Sequence, residues 1–404
     1  MKVLILHQHF KTPDGGGAVR SYYLGRALVE SGIHAVVITA HNGPGYITKN
    51  VDGIEVHYAP VPYDNRFGFY KRILSFYRFV AKAVRLAAQH RDADVCYAIS
   101  TPLTTGLAAR SIKRKYNIPY IFEVGDLWPD APVEMGFIRN PIIKKLLFRM
   151  ERAIYSGAVS IVALSDPIRT AILRRVPGKP VHVVPNMADT SFFRPENRRP
   201  GIERKLGVSG KFVVSYIGAL GVANGLHSLL DCAAACQQGQ LAVHFLVCGD
   251  GAMADHLKNY AAKIALMNLT FIPFQNRDGV GEIMNVTDAN FVSYLPAKIL
   301  ETGSPNKYFD GLAAGKLTII NFGGWIKTEI EGQECGIYVS HAQDFAKKIK
   351  PFLDDPRLLS QYQHAARELA ERKYSRTDLG KRFASIVTEA HAGKTRGSVF
   401  SLLL

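Results

Sequence analysis

No apolar run in this 404-residue chain approaches the ~20 residues that a bilayer-spanning helix needs, so no transmembrane segment is expected. The apolar part of Met1–His7 is too short for a secretion signal, and Val3-Leu4-Ile5-Leu6 reads as a first buried strand. Cysteine is scarce. The five present are Cys96, Cys232, Cys236, Cys248 and Cys335, an odd number without a framework of spacings. That excludes a disulfide scaffold and fits a reducing, cytoplasmic compartment. Cys232 and Cys236 stand one helical turn apart, but no His or second Cys pair completes a metal set, so they read as small buried groups. Acid is short relative to base, 34 Asp and Glu against 50 Lys and Arg. The imbalance is uneven: residues 1–188 hold 25 of the bases and 13 of the acids, +12, which leaves +4 for the remainder. Such a field suits an anionic partner such as nucleic acid, lipid headgroups or a diphosphate. No helix-turn-helix, zinc or RNA-recognition pattern is present, and nucleic acid is not the expected partner.

What is present is the alternation of an α/β protein. Val3–Leu6, Ala35–Ile38, Ile54–Tyr58, Asp94–Ala98, Tyr120–Val124, Ser160–Leu164 and Val181–Val184 read as strands, most of them separated by helical segments. Pro185 to Gly210 is rich in proline and glycine and reads as a linker. A second series follows: Phe212–Ile217, Val243–Val247, Leu269–Ile272, Ala289–Ser293 and Leu317–Ile320. The length exceeds one ordinary core. Two Rossmann-like, doubly wound domains facing a central cleft are therefore expected, over residues 1–188 and 195–378. Ligands in such sheets lie beyond the carboxyl ends of the strands.

The most informative stretch is Ser304-Pro305-Asn306-Lys307-Tyr308-Phe309-Asp310-Gly311-Leu312-Ala313-Ala314-Gly315-Lys316. It places a turn, a cation and an acid at the start of a helix that small residues close at Gly315. Free N–H groups with a nearby Lys suit a diphosphate, and the acid one turn further in suits a ribose or sugar hydroxyl. Glycines at other strand ends allow close backbone approach: Gly15-Gly16-Gly17 after the first strand, Gly218 to Gly225 after Ile217, and Gly249-Asp250-Gly251 after Cys248. Arg20, one turn beyond the triple glycine, offers a further cation or a solvated helix face. Glu123-Val124-Gly125-Asp126-Leu127-Trp128-Pro129 puts two acids at another strand end. Asp126 reads either as a ligand-facing carboxylate or as an Asx turn or helix cap into Trp128-Pro129, and Glu123 is the weaker candidate because it lies within the strand. Asn186, after Pro185 at the linker, reads either as a residue at the cleft floor or as a helix cap or turn.

The Ser304–Lys316 stretch resembles the donor site of family-4 retaining glycosyltransferases of GT-B fold, whose pattern is P-S/N-K-x-x-E/D-x-x-A-x-G-x-P. This chain has Asp310 where most members have Glu and Leu317 where many have Pro. The resemblance covers residues 1 to 390 and is carried chiefly by the second half. It implies donor contacts at Gly15, Gly16, Gly17, Gly218, Gly221, Asn224, Gly249, Asp250, Gly251, Asn306, Lys307 and Asp310. Catalytic roles fall to Asp126, Lys307 and Asp310. The aspartate before Leu-Trp-Pro is similar to that of bacterial O-antigen and capsule N-acetyl-L-fucosamine transferases. The glycine turn departs from the family, with Ala219 and Asn224 where most members have Arg and Lys, which shifts the charge burden onto Lys307. The family's E-x7-E pair has no first acid, since Thr302 occupies that position and Glu301 is adjacent. In the family the last helix, here about residues 379–392, crosses back to the first domain.

What the resemblance implies is transfer, with retention, from a UDP-linked N-acetylated hexosamine to a lipid-linked saccharide, without metal or other cofactor. Between Arg66 and Arg85, Lys71, Arg78, Lys82 and Arg85 share one helical face, opposite Ile73, Tyr77, Val80 and Val84. With Lys113-Arg114-Lys115, Lys144, Lys145, Arg149 and Arg152 they suggest contact with the anionic inner face of a membrane. Two rivals are a sugar-nucleotide epimerase, which needs a general acid–base set not evident here, and a catalytically retired assembly partner.

Overall fold

The computed structural model describes residues 1–15, 17, 19–64 and 67–401, with Phe69 and 393–401 as backbone alone. The first sheet contains β1 (Lys2–Leu6), β2 (His34–His41), β3 (Ile47–Val51), β4 (Ile54–Pro60), β5 (Val95–Ile99), β6 (Tyr120–Val124), β7 (Ser160–Ala163) and β8 (Val181–Val183). Its order is β3-β4-β2-β1-β5-β6-β7-β8, parallel except for the β3–β4 hairpin. The second comprises β9 (Phe212–Ile217), β10 (Val243–Cys248), β11 (Leu269–Ile272), β12 (Ala289–Val292), β13 (Leu317–Ile320) and β14 (Gly336–Tyr338). It is parallel throughout, in the order β11-β10-β9-β12-β13-β14. Helices on both faces explain why β5, β6 and β10 are buried along their whole length and read as unbroken apolar runs.

Each sheet reverses direction once, between β1 and β5 and between β9 and β12. Those switch points open crevices at the carboxyl ends of the strands. The loops leaving β1 and β6 therefore meet the loops leaving β9, β10 and β12 across one cleft.

Two strands escape sequence patterning. β3 is an exposed polar edge whose signal is its turn: Asp52 and Gly53 both have positive φ, 51° and 87°, as a tight hairpin requires. β14 has only three residues. The linker is also shorter than its composition predicts, because Pro200–Leu206 is a helix whose Ile202 packs with Val213 on the second sheet. The chain passes between the domains twice, side by side, with Ala188 N–H bonded to Tyr374 O at 2.8 Å and Arg376 N–H to Ala188 O at 3.3 Å. The final helix, Arg376–Ser401, then lies on the first domain, where the Phe383 ring sits 4.7 Å from that of Tyr97.

The basic helix Phe69–Leu86 buries Ser75, Phe79, Ala83 and Leu86, a stripe at helical spacing. Packing on that stripe turns Tyr77 outward, contrary to the inner position that the pattern predicts, and Tyr77 is 53% exposed. Tyr70 and Leu74 join it beside Lys71, Arg78 and Arg85. Lys82 leaves the cationic face, with its Nζ donating to Pro60 O at 3.0 Å. Helix Pro141–Gly157 likewise exposes Ile142, Ile143 and Leu146 next to Lys145, Arg149 and Arg152. Among the described residues no helix is long and apolar enough to cross a membrane.

Candidate donor-binding cleft

The cleft between the domains has a volume of about 620 Å³. Its second-domain wall is built on helix Asn306–Ala313, which begins after Pro305 with no side chain capping it. Pro305, Asn306, Lys307 and Asp310 all face the cavity. The uncapped first turn directs backbone N–H groups and the positive end of the helix dipole into that space. Gly315, with φ of 60°, ends the element.

Lys307 is held between the Tyr216 and Tyr294 rings, 4.9 and 5.9 Å from its Nζ, and donates to Asn224 Oδ1 at 3.3 Å. Desolvation lowers its pKa to about 8, against the pull of Asp310 in the other direction. Asp310 is pushed up to about 7 by burial first and then by the charge of Asp189, with Arg277 and Lys307 opposing. The pair is thus a cation and an acid that burial pushes toward neutrality, a condition common at functional sites.

The glycine turns after β9 and β10 pack against each other. A Cβ at Gly249, where φ is 146°, would lie 1.9 Å from Gly218 O, so Gly249 is required by backbone-on-backbone contact before any ligand arrives. Gly251 similarly meets Leu220 O. Gly218, Gly249 and Asp250 line the cavity, whereas Gly221 and Gly251 stand behind it and shape the turns. Asn224 donates to Ala219 O at 2.9 Å while accepting from Lys307. An uncharged residue at this place steers the one lysine instead of adding a second cation.

From the first domain, Pro13 and Gly17 reach the cavity, and Gly15 closes the 3₁₀ turn Pro13–Gly15 just beside it. Gly16 lies outside the described residues. Asp126 sits past β6 and is not part of the cavity lining. It is exposed, and its charge is felt by the Tyr294 hydroxyl of the opposite domain. The surrounding walls desolvate its carboxyl and raise its pKa. Asn186 donates through Nδ2 to Ser304 O, and its own N–H reaches Ser304 Oγ at 3.2 Å, which ties the linker to the approach to Lys307.

Three sequence candidates have other work. Arg20 is not a solvated cation: it forms a fork with Glu123 at 2.9 and 3.0 Å and donates to Val184 O and Pro185 O. Glu123 is 1% exposed and also accepts from the Tyr97 hydroxyl, so it is a buried structural partner. Glu301 lies in the 3₁₀ turn Lys298–Thr302, pairs with Lys298 and packs against Gly323 and Gly324, outside the cavity lining.

A cluster that residue patterns do not reveal closes one end. Asp189 accepts from Arg277, from Arg376 at 2.6 Å and from Tyr23 Oη at 3.1 Å, and Arg277 also bonds Tyr23. Arg277 stacks 4.0 Å over Phe192. These residues come from the first helix, the linker, the turn after β11 and the last helix, and all but Phe192 line the cavity. The available signal was position, since Pro273–Arg277 leaves the carboxyl end of a strand and Asn276 caps the next helix.

Comparison with known proteins follows this architecture. Residues 15–187 match the glycosyl transferase 4-like domain and residues 211–355 match glycosyl transferases group 1, well over half of the chain together. The chain belongs to the GT-B glycosyltransferases. A curated relative, the alpha-D-kanosaminyltransferase of Streptomyces kanamyceticus, is 23% identical over 59% of this chain, and the match spans 62% of that relative. The sucrose-phosphate synthase of Thermosynechococcus elongatus superposes with a TM-score of 0.77 at 15% identity, over 97% of this chain and 99% of its own. Anabaena HepE, solved in complex with UDP-glucose, gives 0.70 at 17% identity, over 96% and 100% of the two chains. In this glycosyltransferase the two matched segments meet at the cleft just described.

Proposed function

We propose that this glycosyltransferase moves a sugar, with retention, from a UDP-linked N-acetylated hexosamine to a lipid-linked saccharide. The setting is the inner face of a cell membrane, in synthesis of a surface polysaccharide of the O-antigen or capsule kind. One observation carries the reading: Lys307, at an uncapped helix start, faces a cavity of diphosphate-sugar size together with Asp310 and the first-domain loop. The kanosaminyltransferase relative and the UDP-glucose complex of HepE support a sugar-nucleotide donor.

In this reading Lys307 and the first-turn N–H groups hold the diphosphate, and Asp310 accepts from a hydroxyl of the ribose or sugar. The bond from the anomeric carbon to the leaving phosphate oxygen breaks as the acceptor oxygen bonds to the same face. The acceptor proton passes to that phosphate oxygen. Asp126, across the cleft, stabilises positive charge developing at the anomeric carbon. The exposed Tyr70, Leu74, Tyr77, Ile142, Ile143 and Leu146, interleaved with cations on one domain, support contact with an anionic lipid surface.

The test is release of UDP from a panel of UDP-sugars, with and without lipid-linked acceptor in anionic or neutral vesicles. Release that needs the acceptor and is faster on anionic vesicles is the expected result. An epimerised sugar nucleotide without acceptor would place the chain among the epimerases, and no turnover with any donor would leave it a scaffold.

Binding should also depend on pH. The diphosphate requires charged Lys307, so UDP affinity is full below pH ~8 and falls above it, by up to about tenfold per pH unit. Calorimetry from neutral to alkaline pH measures the slope, and a flat profile across that range contradicts the role of Lys307.

A further inference from the structure

We infer that Glu55, His57 and His90 form a binding site for a divalent transition-metal ion of the zinc class, on the side of the first domain away from the cleft. β4 presents Glu55 and His57 two residues apart, so both side chains leave the same face of the sheet. His90 ends the 3₁₀ turn Ala87–His90 that follows the basic helix. His57 and His90 are 8% and 5% exposed. The Nε2 of His57 lies 2.7 Å from Glu55 Oε1 and 3.1 Å from His90 Nε2, and the three donor atoms fall within 4.8 Å of one another.

Proton bookkeeping favours a cation there. An imidazole nitrogen has one in-plane direction, for either a proton or a lone pair. A proton on His57 Nε2 cannot point at both neighbours at once. Without it, the bare lone pair faces the Glu55 carboxylate at 2.7 Å. A metal ion takes both Nε2 lone pairs and the carboxylate oxygen together. Around zinc, with bonds near 2.1 Å, neighbouring ligand atoms stand roughly 3.3 Å apart, so the side chains need only small shifts. His90 Nδ1 has no partner in either case.

The surroundings match an outer shell. His57 Nδ1 lies 3.1 Å from Thr48 Oγ1 on β3, a hydroxyl that can accept the Nδ1 proton when Nε2 is given to a metal. His34 Nε2 stands 3.1 Å from the other oxygen of Glu55 and is placed to orient it. The nearby Lys2 ammonium is paired with Asp92 at 2.9 Å. Two imidazoles and one carboxylate suit zinc, with a fourth position for water. The ion would staple the β3–β4 hairpin to the end of the basic helix. Because it sits near the amino ends of the strands, it stabilises the domain and takes no part in turnover.

The full-length, tag-free chain is stripped with chelator and titrated first with cobalt(II), then with zinc. Expected are the visible d–d absorption of a four-coordinate cobalt site at one equivalent, its displacement by zinc, and a higher thermal midpoint with zinc than without. His57→Ala with His90→Gln weakens zinc binding by about 100-fold or more. His227→Ala with His256→Ala, which removes a surface pair 3.0 Å apart, leaves binding intact. Absence of both the cobalt spectrum and the zinc-dependent midpoint in the wild-type chain overturns the site. Equal zinc affinity in the His57/His90 variant does the same.

Discussion

Lys307→Ala lowers affinity for UDP about 10- to 100-fold and leaves thermal stability nearly unchanged. The loss follows from removing a charge-assisted contact worth roughly 1.5–3 kcal/mol. The indifference of the fold follows from the same side chain. Burial depresses the pKa of Lys307 to about 8 because it disfavours the charged form, so the ammonium costs stability where it stands. Its hydrogen bond to Asn224 is long, 3.3 Å. A group that costs stability and gains it back on binding an anion is what a functional residue looks like energetically. Lys307→Met preserves the packing between Tyr216 and Tyr294 and is the companion variant. Calorimetry with UDP and a thermal melt decide the matter together. Wild-type affinity in either variant removes the basis of the donor assignment.

Arg20→Ala has the opposite signature. It leaves Glu123, 1% exposed, as a buried carboxylate with the Tyr97 hydroxyl as its remaining side-chain partner, and it frees two linker carbonyls. Breaking a buried pair in this way costs about 3–5 kcal/mol. For a domain of this size the thermal midpoint then falls by about 6–20 °C. Arg20→Met combined with Glu123→Gln removes both charges at similar volume and recovers much of the loss. Calorimetric unfolding of the three proteins measures this. A midpoint within about 2 °C of wild type for Arg20→Ala shows that the pair is solvated, contrary to its burial.

The two variants separate what residue patterns convey from what they hide. The placement of Lys307 was legible because it depends on local order: Pro305 before a helix, the cation in its first turn, Asp310 three residues later, Gly315 at the end. Arg20 was visible as a cation but its partner was not, since Glu123 is 103 residues distant in the chain. The same holds for Asp189, which gathers Tyr23, Arg277 and Arg376 from three separate elements. Tyr77 differs in kind. Its helix was foreseen, yet the face it presents depends on how that helix is rotated on the sheet.

By itself the sequence determined two parallel sheets, because fully buried strands leave unbroken apolar runs and glycine-marked turns at their ends. It also determined the helix start that carries Lys307, since caps, turns and helix N-termini are set by residues within a few positions of each other. Only the tertiary structure decided which charges are spent on holding the domains together and which face the cleft. Those pairings join residues 88 or more positions apart, and neither composition nor periodicity carries information about which distant partner a buried charge will meet.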